Sequence, residues 1–283
     1  MSNVIVTGTL PVNAVGFTFD NQHSGRVYNL WLTKSTISLL PSTRDQFIEI
    51  PGLHGVYDFD VKYEARKIIL ECVIQADNEE QLRSRARNVA RWLNATKGIK
   101  PLILDTENDK YYLVRYSGAM DIEQMVVQGR FSLSFIATDP FAYGTVETTW
   151  TGSIASGNSI NLTNPGTFST LVWFKVTAGV SGAYTAFPAM GLGVCPEVTL
   201  STNSNPRFTL NNEKELKYNG NLEGTDELTI DTAKFEAKKN GANVLGAMEG
   251  EWFELEPGVN TFRYDDDGGN TANFEIKFRG RWL

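Results

Sequence analysis

Two histidines, His23 and His54, and two cysteines, Cys72 and Cys195, are the chain's whole supply of imidazole and thiol. Neither histidine lies near a serine or cysteine in a recognised nucleophile motif, and no strand–turn–helix nucleophile elbow is present. A Ser–His–Asp set assembles in space rather than in sequence, so spacing alone leaves it open. Four ligand-type residues scattered this widely match no zinc spacing. The run Asp265-Asp266-Asp267-Gly268-Gly269-Asn270 offers clustered carboxylates, and calcium takes six to eight oxygens. It lacks the EF-hand spacing, and Asp, Gly and Asn are also what a polar turn requires. The competing reading is a hairpin tip between strands at Val259 to Tyr264 and Asn273 to Arg279. Arg83, Arg87 and Arg91 recur one helical turn apart. They form either a solvated face or a stripe for acidic groups on a partner subunit, since the planar guanidinium takes carboxylates bidentately.

The composition bounds what these residues can belong to. At 283 residues, with 41% hydrophobic and 21% charged content, the chain suits two ordinary globular domains. A formal charge of -7 and a pI near 5.0 give no general attraction for phosphate backbones, so sequence-specific nucleic-acid binding is not expected. No apolar run approaches a membrane span. Met1-Ser2-Asn3-Val4 shows no basic region followed by an apolar segment, so secretion by a signal peptide is not expected. Two cysteines so far apart make a disulfide framework improbable, in keeping with folding in a reducing cytoplasm. Cys72 shares a face with Ile68, Leu70 and Ile74 in a strand pattern and reads as a buried core thiol.

The elements that position these residues are read from periodicity. The segment Gly52 to Asn94 stands apart: a turn-rich Pro51 to Gly55, strands at Tyr57 to Tyr63 and Lys67 to Gln75, then one strong helix. Asp77 with Glu80 suggests the helix start. Leu82, Ala86, Val89, Ala90 and Leu93 supply the apolar stripe, and Gly98 the stop. Strands follow at Lys110 to Tyr116 and at Arg130 to Ala137, the latter expected to end at Asp139-Pro140. Gly144 to Asn158 reads as a junction and a hairpin, with a domain boundary near Tyr143. Beyond it, Asn164-Pro165-Gly166, Asn219-Gly220, Asn240-Gly241 and Pro257-Gly258 punctuate short strands, among them Leu228 to Ile230 and a final alternating run of Phe274, Ile276, Phe278 and Trp282. This is a mainly β chain with a single helix, and its second half is a sandwich or jelly roll.

The order of several short motifs resembles the distal tail proteins of long-tailed bacteriophages. They are Pro51-Gly52-Leu53-His54-Gly55-Val56-Tyr57-Asp58 with Tyr63-Glu64-Ala65-Arg66; Ala90-Arg91-Trp92-Leu93 with Pro101 to Asp105; and Phe131 to Phe135 running into Asp139-Pro140-Phe141-Ala142-Tyr143. In the second half, Gly224 to Thr232, Asn240-Gly241, Leu255 to Asn260 and the terminal Arg281-Trp282-Leu283 fit the same habit. Leu53-His54 departs from the charged pair usual after that glycine. The resemblance implies a non-enzymatic virion protein without cofactor or metal. Residues 1–143 would be a ring-forming, β-sandwich-like domain bearing one helix and a hairpin; residues 144–283 would be a galectin-like sandwich. Six copies would form a ring at the distal end of the tail, between the tail-tube protein and the tail-tip or hub protein. In some members the ring also carries receptor-binding proteins. A galectin-like sandwich raises a second reading, carbohydrate binding for virion adhesion. Trp150, Trp173, Tyr184, Tyr218 and Trp252 are the available aromatics, with Trp150 and Trp252 as candidate sugar contacts, although sandwich aromatics are mostly core.

Overall fold

The computed structural model describes residues 15–119, 122–124, 128–179 and 202–283. Tyr184, Cys195 and the Met1 to Val4 segment lie outside the described residues. The chain forms two compact units, residues 1–145 and 146–282.

The first unit runs β1 (Phe17–Phe19), β2 (Gln22–His23), α1 (Ser24–Tyr28), β3 (Leu30–Ile37), β4 (Thr43–Ile48), β5 (Tyr57–Tyr63), β6 (Arg66–Gln75), α2 (Glu79–Trp92), β7 (Lys100–Leu104), β8 (Glu107–Tyr116), β9 (Ile122–Gln124) and β10 (Gln128–Gly144). Seven of these strands pair in the order β2-β1-β7-β8-β10-β6-β3, and β9 also pairs with β10. The alternation of β6 sends Ile68, Leu70, Cys72 and Ile74 into the core, beside Phe131, Leu133 and Phe135 of β10. Trp92 closes that core. Its ring stacks on Phe17 and Tyr28, meets Phe19 edge-on, and its indole N–H donates to the Phe19 carbonyl at 3.2 Å.

Several expectations are corrected in this unit. A second, short helix, α1, precedes the main one. The cap of α2 is Asn78, not Asp77: Asn78 Oδ1 accepts the Gln81 N–H at 2.8 Å, while Gln81 Oε1 accepts the Asp77 N–H at 2.7 Å. The asparagine wins because it sits three residues before the donor that its short side chain can reach. Trp92 is buried and Ala90 exposed, so the apolar stripe is rotated toward the indole. α2 itself ends at Trp92; a 3-10 turn over Ala95–Lys97 follows, and Gly98, at φ +80, closes that turn. Finally, β10 does not stop at Asp139-Pro140. A register shift between Ala137 and Ala142 places the proline in a bulge, where a missing N–H costs no ladder bond. Asp139 steadies the bulge by accepting from the Phe141 N–H and the Tyr143 hydroxyl.

The second unit comprises β11 (Thr148–Ala155), β12 (Ser159–Asn164), β13 (Val172–Ala178), β14 (Thr202–Ser204), β15 (Arg207–Leu210), β16 (Lys214–Tyr218), β17 (Asn221–Glu223), β18 (Glu227–Asp231), β19 (Glu236–Lys239), β20 (Ala242–Asn243), β21 (Met248–Gly250), β22 (Gly258–Asp265) and β23 (Thr271–Phe278). One sheet orders β11-β23-β13-β18-β19-β20, a second β12-β22-β15-β16-β21, and β14 pairs with β17. The inward rows of both sheets share one core, in which Phe174 meets Phe208 at 5.0 Å between ring centroids and Phe262 at 5.7 Å. This is the two-sheet sandwich the turn spacing suggests. Two local readings fail. β11 and β12 are not a hairpin, because β11 pairs with β23 and β12 with β22. Likewise Asp265 to Asn270 is not a hairpin tip: it carries the chain from β22 in one sheet to β23 in the other.

Candidate functional site

The most conspicuous feature of the first unit is a two-stranded arm that no other strand among the described residues joins. β4 and β5 pair from Thr43↔Tyr63 to Ile48↔Tyr57, with a bulge that leaves Phe59 without an opposite residue. Gly52 and Gly55, at φ +88 and +91, turn the chain between them, a conformation open to residues without Cβ. Every residue of both strands is exposed. Phe59 is 64% exposed and Phe47 55%, and Ile48, Tyr57 and Val61 are similarly bare. Apolar patches of this kind mark protein contacts, and an isolated two-stranded ribbon is marginal in water. The arm therefore carries both the area and the need for a partner. Its base is fixed by Tyr63, whose ring meets buried Phe141 edge-on at 6.2 Å.

The arginine stripe of α2 is exposed along its length. Arg83 is committed to Glu79 of its own helix at 2.6 Å, and Arg91 reaches Asn88 at 3.4 Å. Arg87 has no ion pair among the described residues, so one guanidinium of the three is unengaged within its helix. The stripe and the arm are separate features of the first unit.

His23 sits in a surface hollow of ≈ 510 Å³ lined by Thr18, Arg26, Asp105 and Asn108 among others. Its Nε2 lies 3.0 Å from Asp105 Oδ2, which also accepts the Gly16 N–H at 2.8 Å. A His–Asp pair beside Ser24 invites comparison with a triad, but the geometry is that of a helix cap. His23 Nδ1 accepts the Gly25 and Arg26 N–H groups at 3.1 and 3.2 Å, so neither ring nitrogen is left for a nucleophile's proton. The Ser24 hydroxyl accepts the Phe17 N–H. Sequence reasoning missed this pairing, whose partners are 82 residues apart. His54 is exposed at the arm's turn.

The carboxylates of 265–267 are each spent on protein partners. Asp265 pairs with Arg263 and Asp267 with Arg207, and buried Asp266 accepts from the Ser204 and Asn270 N–H groups. Among the described residues no group of three or more His, Cys, Asp or Glu is arranged to hold a metal ion. Trp150 and Trp252 are half-buried and packed against the sandwich core. Tyr218 is buried, and Lys277 lies 4.9 Å over the Trp173 ring. Beside Trp252 is Phe235, 60% exposed at φ +51, its ring edge-on at 5.5 Å. No helix among the described residues is long and apolar enough to cross a membrane.

Comparison with known proteins follows the two-unit division. Residues 24–137 match the phage tail protein RIFT-related domain, and residues 193–282 match the siphovirus-type tail component, C-terminal domain. Among solved structures, the fold is similar to that of the Dit protein of phage SPP1, described as a paradigm of the hub adsorption apparatus in phages infecting Gram-positive hosts. That likeness has a TM-score of 0.71 at 17% identity and covers 96% of this chain and 100% of that chain. The baseplate of phage p2 in its activated conformation with Sr gives a TM-score of 0.41 at 10% identity, covering 94% of this chain and 98% of that one. No curated protein matches the chain. A RIFT-related tail domain followed by a siphovirus-type tail-component domain, on this fold, makes the chain a member of the distal tail protein family of long-tailed bacteriophages, a structural component of the distal end of the virion tail.

Proposed function

We propose that the protein assembles as a closed homo-hexameric ring through its first unit, joins the tail-tube protein to the tail-tip or hub protein, and encloses a channel for DNA. The observation that carries this reading is the β4–β5 arm, whose bare Phe47 and Phe59 require a covering surface. In a ring each subunit meets its neighbour through two unlike patches, so an arm projecting from one copy would seat on a different face of the next. Permanent interfaces of this sort bury on the order of 2,000 Å² or more. The exposed face of α2, with Arg83, Arg87 and Arg91, is a second contact surface available to an acidic partner. The copy number of six and the tail partners rest on the family resemblance. A net charge of -7 suits a passage that must not hold phosphates. The protein does no chemistry in this role, in keeping with a His23 whose nitrogens both serve the fold.

The test is native mass spectrometry of the purified protein with a Phe47→Ser/Phe59→Ser variant beside it. A hexamer is expected for the wild type, and for the variant a folded monomer that melts at the temperature of the wild type below its assembly concentration. A wild type that stays monomeric at every concentration, and gains no ring on addition of tail partners, overturns the reading. A second reading, carbohydrate contact by the second unit, is favoured by one observation: Phe235 is held bare in a left-handed backbone beside Trp252. Specific glycan-array binding lost on Phe235→Ala would support it, and an array without signal would dismiss it.

A further inference from the structure

Two Asn-Gly pairs occur in the chain, Asn219-Gly220 and Asn240-Gly241, and both lie in turns of the second unit. Asparagine is a thermolabile residue, most of all before glycine, where the absence of a Cβ lets the following nitrogen approach the Asn Cγ. Both asparagines are exposed, so access to water does not separate them. Their hydrogen bonds do.

Asn240 and Gly241, at φ +50 and +80, form the two-residue turn of the β19–β20 hairpin, where Lys239 pairs with Ala242. The Asn240 carboxamide is held at both ends. Its Nδ2 donates to Asp226 Oδ1 at 2.7 Å, and its Oδ1 accepts the Glu227 N–H at 2.9 Å. Asp226 is fixed in turn by Lys239 at 2.8 Å and by the Glu223 N–H at 3.0 Å. Swinging the Asn240 Cγ toward the Gly241 nitrogen breaks both carboxamide bonds.

The Asn219 carboxamide has no hydrogen-bond partner among the described residues. Around it the backbone alone is anchored: the Asn219 N–H donates to the Ala247 carbonyl at 2.8 Å, and the Gly220 carbonyl accepts the Asn205 N–H at 2.9 Å. The Gly220 N–H donates to the Tyr218 carbonyl two residues back, at 3.1 Å, the small closed ring of a γ-turn. Glycine is required at this position, because a Cβ would lie 2.6 Å from the buried Tyr218 ring. The packing that demands glycine therefore also keeps the reactive pair.

We infer that Asn219 is a site of spontaneous deamidation in the folded protein, while the fold holds Asn240 unreactive in the same dipeptide. Hydroxide takes the Gly220 amide proton, and the Gly220 nitrogen bonds to the Asn219 Cγ. The Cγ–Nδ2 bond breaks, Nδ2 takes a proton from water and leaves as ammonia, and a succinimide remains. Water then opens either ring carbonyl, giving an isoaspartyl or an aspartyl residue. Ammonia is exchanged for water, and nothing is oxidised or reduced. The product adds one negative charge to a formal -7. Its isoaspartyl form also lengthens the main chain by one methylene, inside a turn bonded to Ala247 and Asn205. Ageing protein thus becomes a mixture of covalent forms whose second unit is weakened, whether or not rings close.

The full chain is incubated in mildly alkaline buffer, folded and in urea. Conversion at each position is followed by peptide mapping, with isoaspartyl methyltransferase labelling to mark the isoaspartyl product. In the folded protein position 219 is expected to convert faster than position 240 by about tenfold or more, the scale set by the two hydrogen bonds Asn240 must break. In urea the two rates should converge. Asp226→Ala releases the Asn240 Nδ2 and should speed conversion at 240 while leaving 219 unchanged. Asn219→Gln, whose longer side chain closes the ring far more slowly, should fold like the wild type and lose the slow fall in second-unit melting temperature that the wild type shows on ageing. Equal rates at the two positions of the folded protein, or faster conversion at 240, overturn the inference. Conversion at 219 confined to urea overturns it too, as does an equal loss of melting temperature in aged Asn219→Gln.

Discussion

Cys72 shows how much a single residue's surroundings can be read from its neighbours in sequence. Its alternation with Ile68, Leu70 and Ile74 places the thiol in the core, where it is 1% exposed. Burial, with a smaller contribution from the Glu71 charge, pushes its pKa up to about 12. The neutral thiol is favoured in the fold, so this contribution to stability is complete below the ordinary thiol pKa of 9.0 and declines as pH rises from there toward 12. Since the thiolate is the nucleophile, iodoacetamide at pH 8 should leave Cys72 untouched in the folded protein and modify it once urea unfolds the chain. Peptide mapping separates it from Cys195, and modification of native Cys72 at the rate of a free thiol would show the site to be open. His23 was not legible in this way. Its meaning depends on Asp105, brought beside it by the pairing of β1 with β7. Local pattern reports which face a side chain takes; it does not report what waits there.

At the scale of elements, alternation and helical spacing carry strand and helix identity but leave ends and partners open. The start of α2 illustrates the first limit. Asp77 and Asn78 are both good caps, and the sequence offers two overlapping three-residue frames; the fold selects Asn78 because Gln81 then answers back to the Asp77 N–H. Asn78→Ala should therefore cost about 1 kcal/mol, and Asp77→Ala close to nothing, in urea unfolding of the wild type and the two variants. The reverse ranking would return the cap to Asp77. Partners are the second limit. β22 and β23 look like neighbours across a polar turn, yet the turn is a corner between sheets, pinned by buried Asp266 accepting from Ser204 and Asn270. The arm exposes a related ambiguity. Tyr57, Phe59 and Val61 alternate with Asp58 and Asp60 as they would in a half-buried strand, so the pattern announces an apolar face without saying that its cover must come from elsewhere.

For the whole molecule, the consequence of two separate cores is two separate cooperative transitions. Trp92 anchors one core through its stacked rings and its bond to the Phe19 carbonyl; Phe174 sits at the centre of the other. Truncating either to alanine removes a large buried ring, a loss of roughly 3–5 kcal/mol. For units of this size that lowers a melting temperature on the order of 10 °C. Calorimetry of the full chain should show two endotherms, with Trp92→Ala moving one and Phe174→Ala the other. Concentration adds a sharper criterion. Ligation of the folded state stabilises by mass action, so if rings close through the first unit, the transition moved by Trp92→Ala should rise with protein concentration. The transition moved by Phe174→Ala should stay fixed. Both transitions rising together would mean that the second unit contributes to the ring contact. A single endotherm shifted equally by both substitutions would mean that the two cores unfold as one, and the assignment of assembly to the arm-bearing unit would lose its thermodynamic footing.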